Sequence, residues 1–92
     1  MTVFDQIPIR IIKEQELIIG PIAWSEAKKV PGVKIEEKKH EITIDTDDKN
    51  VVDKLVLQYE NFFGRASREV CRDAVRDLVA TMSPEEVPTS LR

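Results

Sequence analysis

The chain of 92 residues is poor in cysteine and glycine, and each shortage excludes a class of protein. Cys71 is the only cysteine, so the chain can form neither an internal disulfide nor a zinc site built on several thiolates. The three glycines, Gly20, Gly32 and Gly64, are isolated from one another. No phosphate-binding loop or dinucleotide-binding motif can be assembled from glycines so placed.

Long apolar runs and a large charge excess are also missing. The longest apolar run, residues 17–24, is interrupted by Gly20 and Pro21, and a membrane helix needs ~20 apolar residues. Residues 1–6 are neither basic nor continuously apolar, unlike a secretory signal peptide. The formal net charge of −3 supplies no overall basic field for nucleic acid. We therefore expect a cytoplasmic protein that does not enter membranes and does not have nucleic acid as its main partner.

What remains is the composition of one folded domain. Apolar residues make up 41% of the chain and charged residues 34%, and 92 residues suffice for one hydrophobic core but not for two. We expect a single α+β domain over residues 1–82, with a sheet-rich half at 1–46 and a helical half at 48–82. Residues 83–92 are expected to form a loose C-terminal tail.

The first half carries strand signals. Residues 7–12 and 17–19 are rich in β-branched side chains, which predicts two short strands joined by a turn at 13–16. The polar residues of that turn would also suit a helix. Between Pro21 and Pro31, the sequence predicts a short helix that begins either at Pro21 or, with Ser25 as its cap, one turn later.

Residues 33–36 and 41–45 alternate apolar with polar side chains, which is the period of a strand. Their apolar positions have opposite parity, so one straight strand would place them on opposite faces. A hairpin that turns near residues 38–40 resolves the conflict and is preferred to a bulge.

From Asp48 the apolar residues recur at helical spacing. They predict one helix that ends near Gly64 and a second that runs from about Ala66 to Met82. A single continuous helix over 48–82 stays open as an alternative, because glycine inside a helix costs only about 1 kcal/mol. The predicted fold is thus a small antiparallel sheet of three to four short strands with a short connecting helix, packed against a C-terminal two-helix hairpin.

Candidate chemistry is sparse, and we predict no catalytic residue, cofactor or metal site. Cys71 and His40 are the only thiol and imidazole, but Cys71 lies on an apolar helix face, where a thiol behaves as a small hydrophobic side chain. The acids around His40 are expected to be solvated in the turn of the hairpin. Residues 45–50 resemble a calcium loop only at the start, since Asn50 replaces the required glycine.

A row of arginines is the best signal for phosphate binding. Acidic residues are interleaved with these arginines at a spacing of three, which is typical of ion pairs on a solvated helix face. A nucleic-acid binder is therefore the third hypothesis for function. The row consists of Arg65, Arg68, Arg72 and Arg76.

The helix over 49–63 is apolar over more than half of its circumference, which exceeds the arc of about 100° that a surface helix buries. We expect this surplus to form an interface, and a homodimer made largely by the C-terminal helices. The leading hypothesis is thus a non-enzymatic interaction or regulatory module. The expected interface residues are Val51, Leu55, Leu57, Phe62 and Phe63.

The alternative to an interaction module is a small-molecule sensor with an apolar pocket between helices and sheet. Its lining would be aromatic, because these residues supply most of the large apolar side chains of the predicted interior. The pocket residues would be Trp24, Tyr59, Phe62 and Phe63.

Overall fold

The chain folds mainly into helices. The structure is a computed structural model that describes residues 3–36, 41–44 and 49–91. The helices are α1 (Val3–Ile19), α2 (Ile22–Lys28), α3 (Lys49–Phe63), α4 (Ala66–Ala74) and α5 (Arg76–Val79). The strands are β1 (Val33–Glu36) and β2 (Glu41–Ile44), and short 3-10 turns follow at Pro84–Glu86 and Thr89–Leu91.

The predicted α+β fold with a sheet of three to four strands is wrong. Within the described residues, the only sheet is the pair β1–β2. Residues 7–12 and 17–19, which were expected to be strands, belong to α1. Every fourth side chain of that segment is buried, at Ile7, Ile11 and Gln15, and this is the period of a helix. Burial of an isoleucine contributes about 1.5–3 kcal/mol, which exceeds its small propensity cost in a helix.

Pro8 lies inside α1 rather than at the edge of a sheet. It has no N–H to donate to the carbonyl of Phe4, so α1 lacks one backbone hydrogen bond in its first turns. Its ring is fully buried, and the burial offsets part of that loss. Proline is the residue least favourable inside a helix, so tertiary packing here overrides a local preference against α1.

The short helix predicted after Pro21 is present as α2. Pro21 stands at its N-cap position, so the later start at Ser25 does not occur. The chain turns between α1 and α2 at Gly20, whose N–H donates to the carbonyl of Glu16 at 2.9 Å. Ala23 and Trp24 face the core from α2.

The predicted hairpin is confirmed. β1 and β2 are antiparallel, and Val33 is opposite Ile44 while Glu36 is opposite Glu41. The predicted turn near residues 38–40 lies outside the described residues. The hairpin packs on the first two helices, β1 on α2 and β2 on α1.

Residues 49–79 form separate helices rather than one rod. Gly64 has φ 91°, a left-handed conformation that glycine adopts without strain, and its N–H donates to the carbonyl of Glu60 at 2.8 Å. The chain then returns as α4, which packs against both α3 and α1. Val75 departs from helical geometry (φ −119°, ψ 10°), so the predicted second helix is divided into α4 and the single turn α5.

One core lies between α1, α3 and α4, with α2 across one side. Two side-chain hydrogen bonds tie its elements together. The amide of Gln15 donates to the carbonyl of Ser67 at 3.1 Å, and the hydroxyl of Tyr59 donates to the carbonyl of Ala23 at 2.6 Å. The fully buried apolar side chains include Ile7, Ile11, Ile12, Val52, Leu55, Val56, Tyr59, Cys71 and Val75.

The segment after α5, expected to be a loose tail, packs on α3 and α4. Val87, Pro88 and Leu91 are buried. The carboxylate of Asp53 on α3 accepts two hydrogen bonds from Ser90, from the backbone N–H at 3.0 Å and from the hydroxyl at 2.6 Å. These contacts join the segment to the core.

The helical assignment of α1 is tested by a pair of alanine substitutions on opposite faces of the helix. Ile11→Ala removes a fully buried side chain, so we expect it to lower the free energy of unfolding by about 2–5 kcal/mol. Leu17→Ala alters a side chain that is 79% exposed on the opposite face of the helix, and we expect a change within about 0.5 kcal/mol. Urea denaturation measures both values. Comparable losses from the two substitutions would contradict the helix as described.

The contribution of the hydrogen bonds between Asp53 and Ser90 is tested by a second pair of substitutions. Asp53→Ala removes both hydrogen bonds to a charged acceptor, and we expect a loss of about 1.5–3 kcal/mol in the free energy of unfolding. Asp77→Ala is the control, because it breaks an exposed ion pair with Arg10 that contributes only about 0–1 kcal/mol. Equal changes in the free energy of unfolding would show that the hydrogen bonds between Asp53 and Ser90 do not stabilise the fold.

Candidate interaction surface

The five expected interface residues do not form one exposed surface. Val51 and Leu55 are buried in the chain's own core. Leu57 and Phe62 are 48% and 53% exposed. Phe63 is half-buried against the core, and its ring centroid lies 4.5 Å from that of Phe62. Only Leu57 and Phe62 of the predicted set therefore present a large apolar surface to solvent.

A second exposed apolar group lies at the junction of α1 and α2. Leu17, Ile18 and Ile22 are 79%, 63% and 40% exposed, and we call these three residues the α1–α2 corner. The sequence analysis did not predict this exposed group, because it interpreted residues 17–19 as a strand. The sequence carried part of this signal, because a helix that buries Ile11 and Gln15 turns position 17 away from the core. Ile18 lies on the same helix face as Ile11 and Gln15, so helical spacing alone does not predict its exposure.

Polar side chains of α2 and α3 meet beside Phe62. The amide of Gln58 on α3 donates to the carboxylate of Glu26 on α2 at 3.4 Å. Lys29 bonds to Glu26 at 2.6 Å and lies 5.9 Å from the centre of the Phe62 ring.

A groove of about 190 Å³ runs between the C-terminal end of α2 and α3, and we call it the α2–α3 groove. Val30 is buried at its base, whereas Leu57 and Pro31 are exposed along it. Its lining residues are Lys29, Val30, Pro31, Lys54, Leu57, Gln58 and Asn61.

The arginine row is largely paired with acids, which was the expectation for a solvated face. Arg68 bonds to Glu60 at 2.9 Å, and Arg72 bonds to Glu69 at 3.4 Å. The guanidinium of Arg76 also bonds to the carboxylate of Asp73. Arg65 is exposed and has no carboxylate partner within the described part of the chain. The row therefore offers little uncompensated positive charge to a phosphate.

The aromatic residues proposed to line a ligand pocket do not enclose one together. Trp24 and Tyr59 are buried in the core, where the indole N–H of Trp24 donates to the carboxylate of Glu16. Burial is the main cause that raises the pKa of the Tyr59 hydroxyl far above its usual value. Phe62, by contrast, is exposed.

Cys71 is fully buried, as its apolar helix face predicted. Burial raises the pKa of its thiol to about 11, although the amide of Gln15 donates a hydrogen bond to its sulfur at 3.3 Å and opposes the shift. The thiol is thus protonated at neutral pH and is not a nucleophile in the folded state.

His40, Glu37 and residues 45–48, together with the side chains of Glu36 and Glu41, lie outside the described residues. Among the side chains that the structure does describe, no three His, Cys, Asp or Glu residues converge as metal ligands.

No family of known proteins, curated protein sequence or solved structure matches this chain. None of the helices in the described ranges is long and apolar enough to cross a membrane. The candidate site is therefore inferred from the geometry of the chain itself, and it consists of the α1–α2 corner, Phe62 and the α2–α3 groove.

The raised pKa of Cys71 predicts a loss of stability at high pH. The thiol ionises near pH 9.0 in the unfolded chain and near 11 in the folded one, so the folded state binds its proton more tightly. Its contribution is complete below pH 9 and falls by about 2–3 kcal/mol between pH 9 and 11. Cys71→Ala is the reference, because it retains Tyr59 and every other titrating group. Urea denaturation across this pH range would contradict the prediction if the two proteins lost stability in parallel.

Proposed function

We propose that this chain is a small, non-enzymatic protein-interaction module. The observation that carries the proposal is the exposure of five large apolar side chains, three of them grouped at the α1–α2 corner and the other two, Leu57 and Phe62, on α3. Exposed apolar side chains that cluster mark interaction sites more often than those that are scattered singly. Association with another protein would remove this surface from water and stabilise the complex.

Other features of the structure favour this proposal over its competitors. The sensor hypothesis loses support because Trp24 and Tyr59 fill the core. The nucleic-acid hypothesis loses support because three of the four arginines in the row are paired with carboxylates. The buried, protonated thiol of Cys71 is consistent with a reducing location, and we propose a cytoplasmic one.

We also propose that the chain self-associates, through the α1–α2 corner and not chiefly through the C-terminal helices. Val51 and Leu55 support the core and are not available to a second copy. Leu17 and Ile18, in contrast, are the most exposed large apolar side chains described. A symmetric pair of copies would place each corner against the other, as in most homodimers.

Self-association is tested by light scattering coupled to size-exclusion chromatography. We expect the wild-type chain at about 100 µM to have twice the mass of the 10.5 kDa protomer, because apolar interfaces commonly give micromolar or tighter dissociation constants. Leu17→Glu combined with Ile18→Glu should give a 10.5 kDa species, since four carboxylates would then meet in a symmetric interface.

The control for this experiment is Arg76→Glu combined with Thr81→Glu, which adds negative charge at exposed positions on and after α5 and should leave the dimer intact. A wild-type chain that stays at 10.5 kDa at this concentration would contradict self-association. Dimers that persist in the Leu17 and Ile18 double variant would instead exclude the α1–α2 corner as their interface.

A further inference from the structure

We propose that the α2–α3 groove binds an acidic peptide segment of a partner protein. One apolar side chain of that segment would lie against Pro31 and Leu57, and a neighbouring carboxylate would pair with Lys54. The inference rests on the proposed function as an interaction module and specifies the chemistry of the partner.

The groove has an apolar base and an apolar side that the described chain leaves open. Val30 is 3% exposed and forms part of the base, while Leu57 is 48% exposed beside it. Pro31 is exposed at the other side of the groove. A volume of about 190 Å³ is enough for one branched or aromatic side chain but not for a typical small-molecule ligand.

The ionisable side chains that line the groove are both cationic. Lys29 and Lys54 are its only ionisable lining residues among those described, and no acid lines it there. The exposed positions described on α2 and α3 also carry no acidic residue. This cationic character is local, because the whole chain has a formal net charge of −3. An anionic segment therefore fits this face better than a neutral or basic one.

The two lysines differ in availability. The ammonium of Lys29 bonds to the carboxylate of Glu26 at 2.6 Å, and that carboxylate is buried. Lys29 is thereby held in place and largely neutralised. Lys54 is exposed and pairs with no carboxylate in the described part of the chain. We therefore assign the contact with the partner's carboxylate to Lys54.

Neutral polar groups complete the site. Asn61 is exposed on α3, one turn after Leu57. Its side-chain amide can both donate a hydrogen bond to a peptide backbone and accept one from it. Gln58 already directs its amide nitrogen at Glu26, which leaves its oxygen as an acceptor. An extended peptide, or the end of a helical one, has free backbone N–H and C=O groups that can pair with these two amides.

Nucleic acid and anionic membranes are less suited to this groove than a peptide is. Both are polyanions whose binding depends on several lysines or arginines acting together. The groove provides two lysines, and Glu26 offsets the charge of one of them. An apolar contact beside one ammonium matches an apolar side chain and a neighbouring carboxylate, and a short peptide can supply both.

The proposal is tested by selecting peptides from a random display library on the full wild-type chain. We expect the retained peptides to be enriched in Asp and Glu flanking a large apolar residue. Their dissociation constants, measured by fluorescence anisotropy with labelled peptides, should rise about tenfold for Lys54→Glu and about tenfold for Leu57→Ser. Added salt should weaken binding to the wild-type chain more than to Lys54→Glu.

Matched controls separate the groove from general effects. Arg65→Glu makes the same change in charge at an exposed cation after α3, and Ile18→Ser removes an exposed apolar side chain from the α1–α2 corner. Both should keep wild-type affinity within about twofold. Helical circular dichroism verifies that each variant is folded, which is expected because all of the substituted side chains are exposed.

Several results would overturn the inference. Retained peptides without acidic enrichment, or with unchanged affinity for Lys54→Glu, would exclude the proposed contact while leaving an interaction module in place. Vesicles of anionic phospholipid that bind the wild-type chain but not Lys54→Glu would assign the groove to a membrane surface instead. If no peptide is retained and the wild-type chain is also monomeric, the inference and the proposed function both fail.

Discussion

The arrangement of this molecule depends on how α1 is seated against α4. The buried amide of Gln15 donates to the carbonyl of Ser67 and to the sulfur of Cys71. Sliding or rotating α1 would leave that amide buried without a partner, at a cost of about 1–3 kcal/mol. The contact therefore fixes which face of α1 enters the core, and Leu17, on the opposite face of the helix from Gln15, must then point outward.

The positions of α3 and α2 follow from the same packing of α1 on α4. With α1 against α4, the core has room for one face of α3, and Leu55, Val56 and Tyr59 fill it. The hydroxyl of Tyr59 then bonds to Ala23 and sets α2 beside α3. The α2–α3 groove is thus a consequence of core packing, because it lies where the two helices diverge at the turn after α2.

Local signals were sufficient for the elements with strong boundaries. Pro21 marked the start of α2, the alternation after Val33 predicted the hairpin, and Gly64 ended α3. Local signals did not predict the helix over residues 7–19, because short β-branched runs around a polar segment fit a strand or a helix equally well. The outcome there was decided by tertiary contacts of Ile7, Ile11 and Gln15, which no local pattern specifies.

The candidate surface was predicted only in part, for a related reason. Counting apolar residues on α3 showed a surplus but not which side of the helix another segment would cover. Val51 lies close to Gly32, where an added Cβ would come within 3.0 Å of its methyl group, and the segment around Ser90 packs on the same helix. Segments expected to be sheet and tail thus covered part of the surplus and left Leu57 and Phe62 outside.

The position of Trp24 has a practical consequence. It is the only tryptophan of the chain, it is buried on α2, and its indole nitrogen bonds to the carboxylate of Glu16 on α1. The protein therefore contains a single indole fluorophore at the joint of its first two helices, and this indole can be excited selectively over Tyr59. Its emission will report directly on any rearrangement of that joint, without a label and without interference from a second indole.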